Sequence, residues 1–213
     1  MSIVGNLEID MLVVGMVRTN CFIISNVKTK EAVLVDPGDQ AESIKQFIEK
    51  KGVTPVAILI THGHFDHIMA VKELQTRYHL KVYASEAEKE LLSDPSMNLS
   101  ADFINLPYGL EADIWLKDNE KIQVADMTVQ AIATPGHTIG GMCYYFIEDN
   151  ILASGDTLFL ETVGRTDLVT GNSRTLVDSI QNKLMALDDS VIVLPGHGES
   201  TTIGYERRNN PCI

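Results

Sequence analysis

Short apolar runs rich in valine and isoleucine recur along the chain and read as strands. They lie at Leu7 to Val14, Phe22 to Ser25, Ala32 to Asp36, Val56 to Ile60, Thr128 to Ala133, Met142 to Ile147, Ile151 to Ala153 and Val191 to Leu194. Helical spacing falls between them. From Gln40 to Lys51, Ile44, Phe47 and Ile48 share one face, and from Arg174 to Leu187 a stripe is formed by Leu176, Ile180, Leu184 and Leu187. Ser85 followed by Glu88 has the spacing of a capping box and predicts a short helix reaching Leu92. Strand pairs followed by helices in both halves predict a layered α/β protein. The stretch from Ser93 to Asn119 is the least regular and reads as loop or short helices packed beside a cleft.

No proline-, glycine- or serine-rich linker, low-complexity tract or long charge run divides the 213 residues, so a single domain over 1–213 is expected. The net charge of −12 disfavours nucleic acid as a partner, because such affinity rests on lysine and arginine neutralising phosphates. No secretory signal or membrane span is read. Three widely separated cysteines, Cys21, Cys143 and Cys212, suggest neither a disulfide framework nor a thiolate metal site. A cytoplasmic location is expected.

The chemistry gathers where strands end. Four apolar runs lead directly into loops with potential ligands: Thr61-His-Gly-His-Phe-Asp-His, Thr134-Pro-Gly-His, Ser154-Gly-Asp and Pro195-Gly-His. Loops at the carboxyl ends of buried strands are where α/β proteins place their sites, so these segments can converge. Five of the six histidines lie in them, and all of these but His67 adjoin a glycine. His79 alone reads as an ordinary surface or core residue. Imidazole with carboxylate suits zinc, iron or manganese. The spacing of His62, His64, Asp66 and His67 can feed two neighbouring sites, because alternate residues project in different directions, and Asp156 is a carboxylate able to bridge them. A closed structural zinc site takes four ligands, and this inventory exceeds four.

The order of these residues resembles the metallo-β-lactamase superfamily, from Asn20-Cys-Phe and Asp36-Pro-Gly nearly to the end of the chain. That resemblance implies a four-layer αββα sandwich with the metals at one edge of two packed sheets. Thr134-Pro-Gly-His-Thr, Gly155-Asp-Thr-Leu-Phe, Gly164-Arg-Thr-Asp and Glu206-Arg-Arg-Asn-Asn-Pro look most like the glyoxalase II group, the hydroxyacylglutathione hydrolases, in a short single-domain form. By that resemblance His62, His64 and His137 hold one metal, Asp66, His67 and His197 a second, and Asp156 bridges. One or two transition-metal ions are implied, zinc first, with iron or manganese as alternatives. The chain departs from the larger enzymes in having no C-terminal helical domain to grip glutathione, and in carrying Arg165 and Asp167 where those enzymes have a loop lysine and tyrosine.

The implied reaction is hydrolysis of a small thioester such as an S-acylglutathione. A metal-bound water with its pKa lowered to about 7 supplies hydroxide, Asp66 orients it, and a thiolate leaves without a further acid. Arg165, Arg207 and Arg208 are candidates to pair with substrate carboxylates. A mononuclear-iron persulfide dioxygenase using His62, His137 and Asp156 shares the pattern, and a lactonase or other ester hydrolase of the same superfamily is the remaining alternative. The expected partner is a small molecule, with neither nucleic acid nor membrane; the pattern specifies no oligomeric state.

Overall fold

The computed structural model describes residues 2–213. Its first sheet has seven strands in sequence order: β1 (Ser2–Val4), β2 (Leu7–Val14), β3 (Thr19–Asn26), β4 (Glu31–Val35), β5 (Thr54–Leu59), β6 (Lys81–Ser85) and β7 (Ile114–Leu116). The first four form an antiparallel meander, and β4 to β7 run parallel. The second sheet contains β8 (Lys121–Val124), β9 (Met127–Ala133), β10 (Met142–Phe146) and β11 (Ile151–Gly155) as an antiparallel run. After a small hairpin, β12 (Leu158–Phe159) and β13 (Thr162–Val163), the chain returns to that sheet as β14 (Ile192–Pro195), parallel to β11, and β15 (Thr201–Thr202) closes the edge.

Alternation along the strands dictates the layers. Phe22, Ile24, Val33, Val35, Ala57 and Leu59 point between the sheets and meet Val129, Ala131, Tyr144, Phe146, Ile151 and Ala153 from the other side. The intervening residues face outward. Ile23, Leu34, Ile58 and Ile60 pack on helices α1 (Ala41–Lys51) and α3 (Val71–Tyr78), with α2 (Phe65–Ile68) just before α3. On the opposite face Cys143, Leu152 and Val193 receive Leu176 and Ile180 of α6 (Ser173–Asn182), while α4 (Lys89–Ser93) and α5 (Ser100–Ile104) lie between β6 and β7. The αββα sandwich implied by the resemblance is the observed fold. α7 (Ile203–Asn209) packs at the end of the chain. Among the described residues no helix is long and apolar enough to cross a membrane.

Two local expectations change. The helix expected over Arg174 to Leu187 stops at Asn182 and continues as a 3-10 turn over Leu184–Ala186. Lys183, at the break, directs its ammonium to the Ala133 carbonyl at 2.7 Å and to Asp118 at 2.8 Å. The capping box at Ser85 does not form, since Ser85 makes no side-chain cap and Glu88 turns into the protein. The irregular stretch from Ser93 to Asn119 contains α5 and β7, and α5 does stand beside the cleft described next.

Candidate metal centre

All four ligand-bearing loops leave their strands at one end of the sandwich. β5 runs out at Leu59, and its continuation carries His62 and His64 into α2, whose first turn bears Asp66 and His67. His137 follows β9, Asp156 directly follows β11, and His197 lies two residues beyond β14. The first sheet thus supplies one half of the site and the second sheet the other. His62, His64, His67 and His137 are buried, while Asp66, Asp156 and His197 open to the cleft.

Two clusters face the cleft, His62, His64 and His137, and Asp66, His67 and His197, and a third group behind them joins Asp36 to His62 and His67, the ligand atoms within each lying within 4.8 Å of one another. Asp156 stands between them. One of its oxygens is 3.5 Å from His67 Nε2, and the other is 3.6 Å from both His137 Nε2 and His197 Nε2. Asp66 Oδ2 is 3.4 Å from His67 Nε2 and 3.3 Å from His197 Nε2.

The surrounding hydrogen bonds choose which ring nitrogen each histidine offers. The Thr61 hydroxyl donates to Asp36 Oδ2 at 2.6 Å, so its oxygen accepts from His62 Nδ1 at 3.1 Å. His67 Nδ1 donates to the same Asp36 oxygen at 2.9 Å. In the neutral form of both rings the proton sits on Nδ1 and Nε2 presents its lone pair inward. His137 Nδ1 donates to the Arg165 carbonyl at 2.7 Å, leaving its Nε2 3.0 Å from His64 Nδ1. Thr19 donates its hydroxyl to Asp66 Oδ2 at 2.8 Å.

A divalent cation fits what these residues leave unsatisfied. His62 Nε2, His67 Nε2 and Asp156 Oδ1 are buried without a hydrogen-bond partner, and each orphaned group of this kind costs about 1–3 kcal/mol. Burial pushes the His62 imidazolium well below its usual range and His64 to about 3, so both are neutral bases at physiological pH. In the second cluster burial acts the same way on His67, but Asp66, Asp156 and Asp36 outweigh it and raise the ring to about 10. Burial works against ionisation of Asp66 as well, yet His67, His197 and Thr19 hold it below the ordinary carboxylate range. The second cluster is therefore a concentration of negative charge awaiting a cation. Nitrogen and carboxylate donors without thiolate suit a divalent transition metal. The clusters are suited to divalent metal ions.

Close backbone approach makes the arrangement possible. A Cβ on Gly196 would overlap Asp156 Oδ1 and come within 2.8 Å of His67 Cε1. One on Gly38 would overlap the Asp66 carbonyl oxygen. Any side chain at either position would push a cluster apart.

The clusters open into a cleft of about 390 Å3 walled by Val17, Phe65, Leu99, Phe103 and Leu168, with Arg165 at its rim. The Arg165 guanidinium is gripped by Asp167 through two bonds of 2.8 Å. Arg207 and Arg208, expected as substrate contacts, are not brought to this cleft. Arg207 donates to the carbonyls of Met185 and Leu187 and meets Asp189, which also holds Arg208 at 3.0 Å. The reason is that α7, which carries both, packs its charged side against the turn after α6, away from the strand ends.

Asp36, Thr61, Thr19 and Glu88 support the clusters, a role that nothing in their local sequence assigns to Thr61, Thr19 or Glu88. Glu88 is fully buried, its carboxylate accepting the Gly63 N–H at 2.9 Å and the Gly140 N–H at 2.7 Å. It thereby ties the His62–His64 loop to the loop of His137. Asp36 carried a legible signal, since Asp36-Pro-Gly follows an apolar run just as the ligand loops do. Its backbone lies in the left-handed region at φ 49°, a strained conformation of the kind that clusters at functional sites.

Comparison with known proteins agrees with this geometry. The family model of the metallo-beta-lactamase superfamily matches residues 14–197. A probable metallo-hydrolase of Bacillus subtilis is 36% identical over 94% of both chains. The hydroxyacylglutathione hydrolase GloC of Haemophilus influenzae is 33% identical over 97% of this chain and 98% of its own. The crystal structure of BLEG-1 B3 metallo-beta-lactamase superposes with a TM-score of 0.91 at 37% identity, covering 96% of this chain and 98% of that one. TTHA1623, solved in a di-iron-bound form, gives 0.83 at 31% identity over 96% and 100%. ETHE1 from Myxococcus xanthus gives 0.80 at 28% over 96% and 83%. The chain belongs to the metallo-beta-lactamase superfamily.

Proposed function

We propose that the protein is a metal-dependent hydrolase of small thioesters, with S-acylglutathiones as the first substrates to test. The observation that carries the reading is the pair of complete donor clusters facing one cleft, with Asp156 between them. His62, His64 and His137 would hold one ion and Asp66, His67 and His197 the other. Bound there, divalent ions supply Lewis acidity toward an acyl oxygen and lower the pKa of water to about 7. Asp66 lies on the cleft wall with Thr19 fixing one of its oxygens, so it is placed to orient the attacking water. Its lowered pKa keeps it ionised for that task. A thiolate leaves as the anion, since a free thiol has a pKa of about 8.5, and no additional acid is required. Phe65, Leu99, Phe103 and Leu168 give the cleft beside the clusters an apolar wall against which a thioester can lie.

The similarity to a relative named hydroxyacylglutathione hydrolase supports this choice over a lactone or other oxygen ester. A persulfide dioxygenase with a single iron would draw His62, His137 and Asp156 from the same set of residues, and metal content together with oxygen uptake separates it from the hydrolase. Hydrolysis of S-lactoylglutathione by metal-loaded protein, abolished by a chelator and restored by added ion, is the expected result. Oxygen uptake with glutathione persulfide and no thioester cleavage would overturn it.

A further inference from the structure

Beside the cleft lies a second chamber of about 160 Å3, between the tip of the β2–β3 hairpin and the segment that follows α5. Its walls are Met16, Val17, Phe65, Met69, Ile104 and Leu106. Val17, Phe65 and Asp66 line both spaces, so the chamber adjoins the reaction centre at the carboxylate assigned above to the attacking water. Phe65 stacks on Phe103 with ring centroids 6.0 Å apart, which fixes the wall between the two spaces. Met16, Phe103 and Leu106 are 77%, 61% and 57% exposed, an apolar expanse that a water-facing surface does not otherwise explain.

Charge divides the two ends. The chamber has Asp39 and Asp66 on its lining and no lysine or arginine, whereas Arg165 stands in the cleft proper. With Asp66 engaged by metal, Asp39 alone sets the sign of the chamber, where an anionic group finds no basic partner, whereas the cleft offers Arg165 in its pair with Asp167. Volume sets the size of what enters: a cavity of about 150 Å3 accommodates benzene, so this one accepts about six carbon atoms.

We propose that the chamber is an acyl-chain site, taking an uncharged, apolar acyl group of up to about six carbons while the anionic thiol carrier lies toward Arg165. The assignment rests on the thioester reading above. It makes medium-chain acyl thioesters, and not short hydroxyacyl ones, the preferred substrates.

The test uses the metal-loaded protein and S-acylglutathiones from acetyl to octanoyl. The expected kcat/KM rises about threefold to fourfold per added methylene up to hexanoyl and then levels off. Leu106→Asp, a change at an exposed position that adds a third carboxylate to the mouth, brings the hexanoyl-to-acetyl ratio close to one. A flat series in the parent protein, or a ratio untouched by Leu106→Asp, overturns the assignment. A second readout needs no turnover: with [13C-methyl]methionine labelling, hexan-1-ol shifts the Met16 and Met69 methyl resonances, assigned by Met16→Leu and Met69→Leu, and the shifts vanish in Leu106→Asp. If no thioester is cleaved but those resonances move, the thioester reading fails and the chamber's preference for an apolar chain stands. Resonances that do not move sink the chamber itself.

Discussion

Asp36 Oδ2 accepts hydrogen bonds from both His67 Nδ1, at 2.9 Å, and the Thr61 hydroxyl, at 2.6 Å, and through Thr61 it also fixes the ring of His62. One buried carboxylate thus sets the tautomer of a histidine in each cluster. Asp36→Asn preserves size and can still accept the Thr61 N–H, but its amide N–H2 opposes the His67 Nδ1–H and favours the tautomer protonated on Nε2. Metal affinity measured by chelator competition should fall about 10- to 100-fold, the usual effect of losing such a partner. Unchanged affinity would remove Asp36 from the account.

Titration of the metal-free clusters has a definite sign. His67 is raised to about 10 by its three carboxylate neighbours, so it stabilises the metal-free fold below the unfolded value near 6.5, and that contribution is lost as pH rises toward 10. His64, lowered to about 3 by burial, acts oppositely: it is neutral in both states above about 6.5, and acid favours the unfolded chain, which protonates first. Loading metal at pH 7.5 must therefore expel the His67 proton. Calorimetric titrations in buffers of different ionisation enthalpy should report release of about one proton per filled second cluster. No buffer dependence would mean that His67 is already neutral.

Glu88 accepts from Gly63 and Gly140, and burial raises its pKa above the ordinary carboxylate value even though those N–H groups favour the anion. Glu88→Ala leaves two buried donors unpaired, and chemical denaturation should show a loss of about 2–4 kcal/mol. Because the clamp joins the loops of His64 and His137, the variant should also bind its first metal more weakly at temperatures where it is fully folded. Stability lost with unaltered metal affinity would reduce Glu88 to a packing residue.

Asp167 neutralises the one arginine of the cleft lining and is itself lowered to about 2 by that contact. Asp167→Asn should lower KM for S-acylglutathiones by no more than about fivefold, the ceiling for an exposed ion pair, with a gain that shrinks as salt is added. An unchanged KM at low salt would place the thiol carrier elsewhere.

How much of this was legible in the chain follows from what each residue encodes locally. The inner-facing strands β3, β4, β5 and β11 announce themselves through alternation and β-branched residues, and so do the loops that follow β5, β9, β11 and β14. β6 and β7 did not stand out, since Lys-Val-Tyr-Ala-Ser and Ile-Trp-Leu are too short for periodicity to speak. Glu88 followed a local capping pattern, but tertiary burial between two glycine N–H groups took its carboxylate instead. Arg207 and Arg208 resembled substrate contacts in sequence, yet Asp189 and the turn carbonyls claim them, a pairing that only the packing of α7 reveals.

The central claim is that two metal clusters serve thioester hydrolysis, and one preparation tests it. Protein expressed without metal supplementation would be divided between elemental analysis for zinc, iron and manganese and parallel assays of S-acylglutathione cleavage and oxygen uptake with glutathione persulfide. The account predicts up to two divalent ions per chain and thioester cleavage that disappears on chelation and returns with added metal. One iron per chain, oxygen consumption and intact thioester would contradict it.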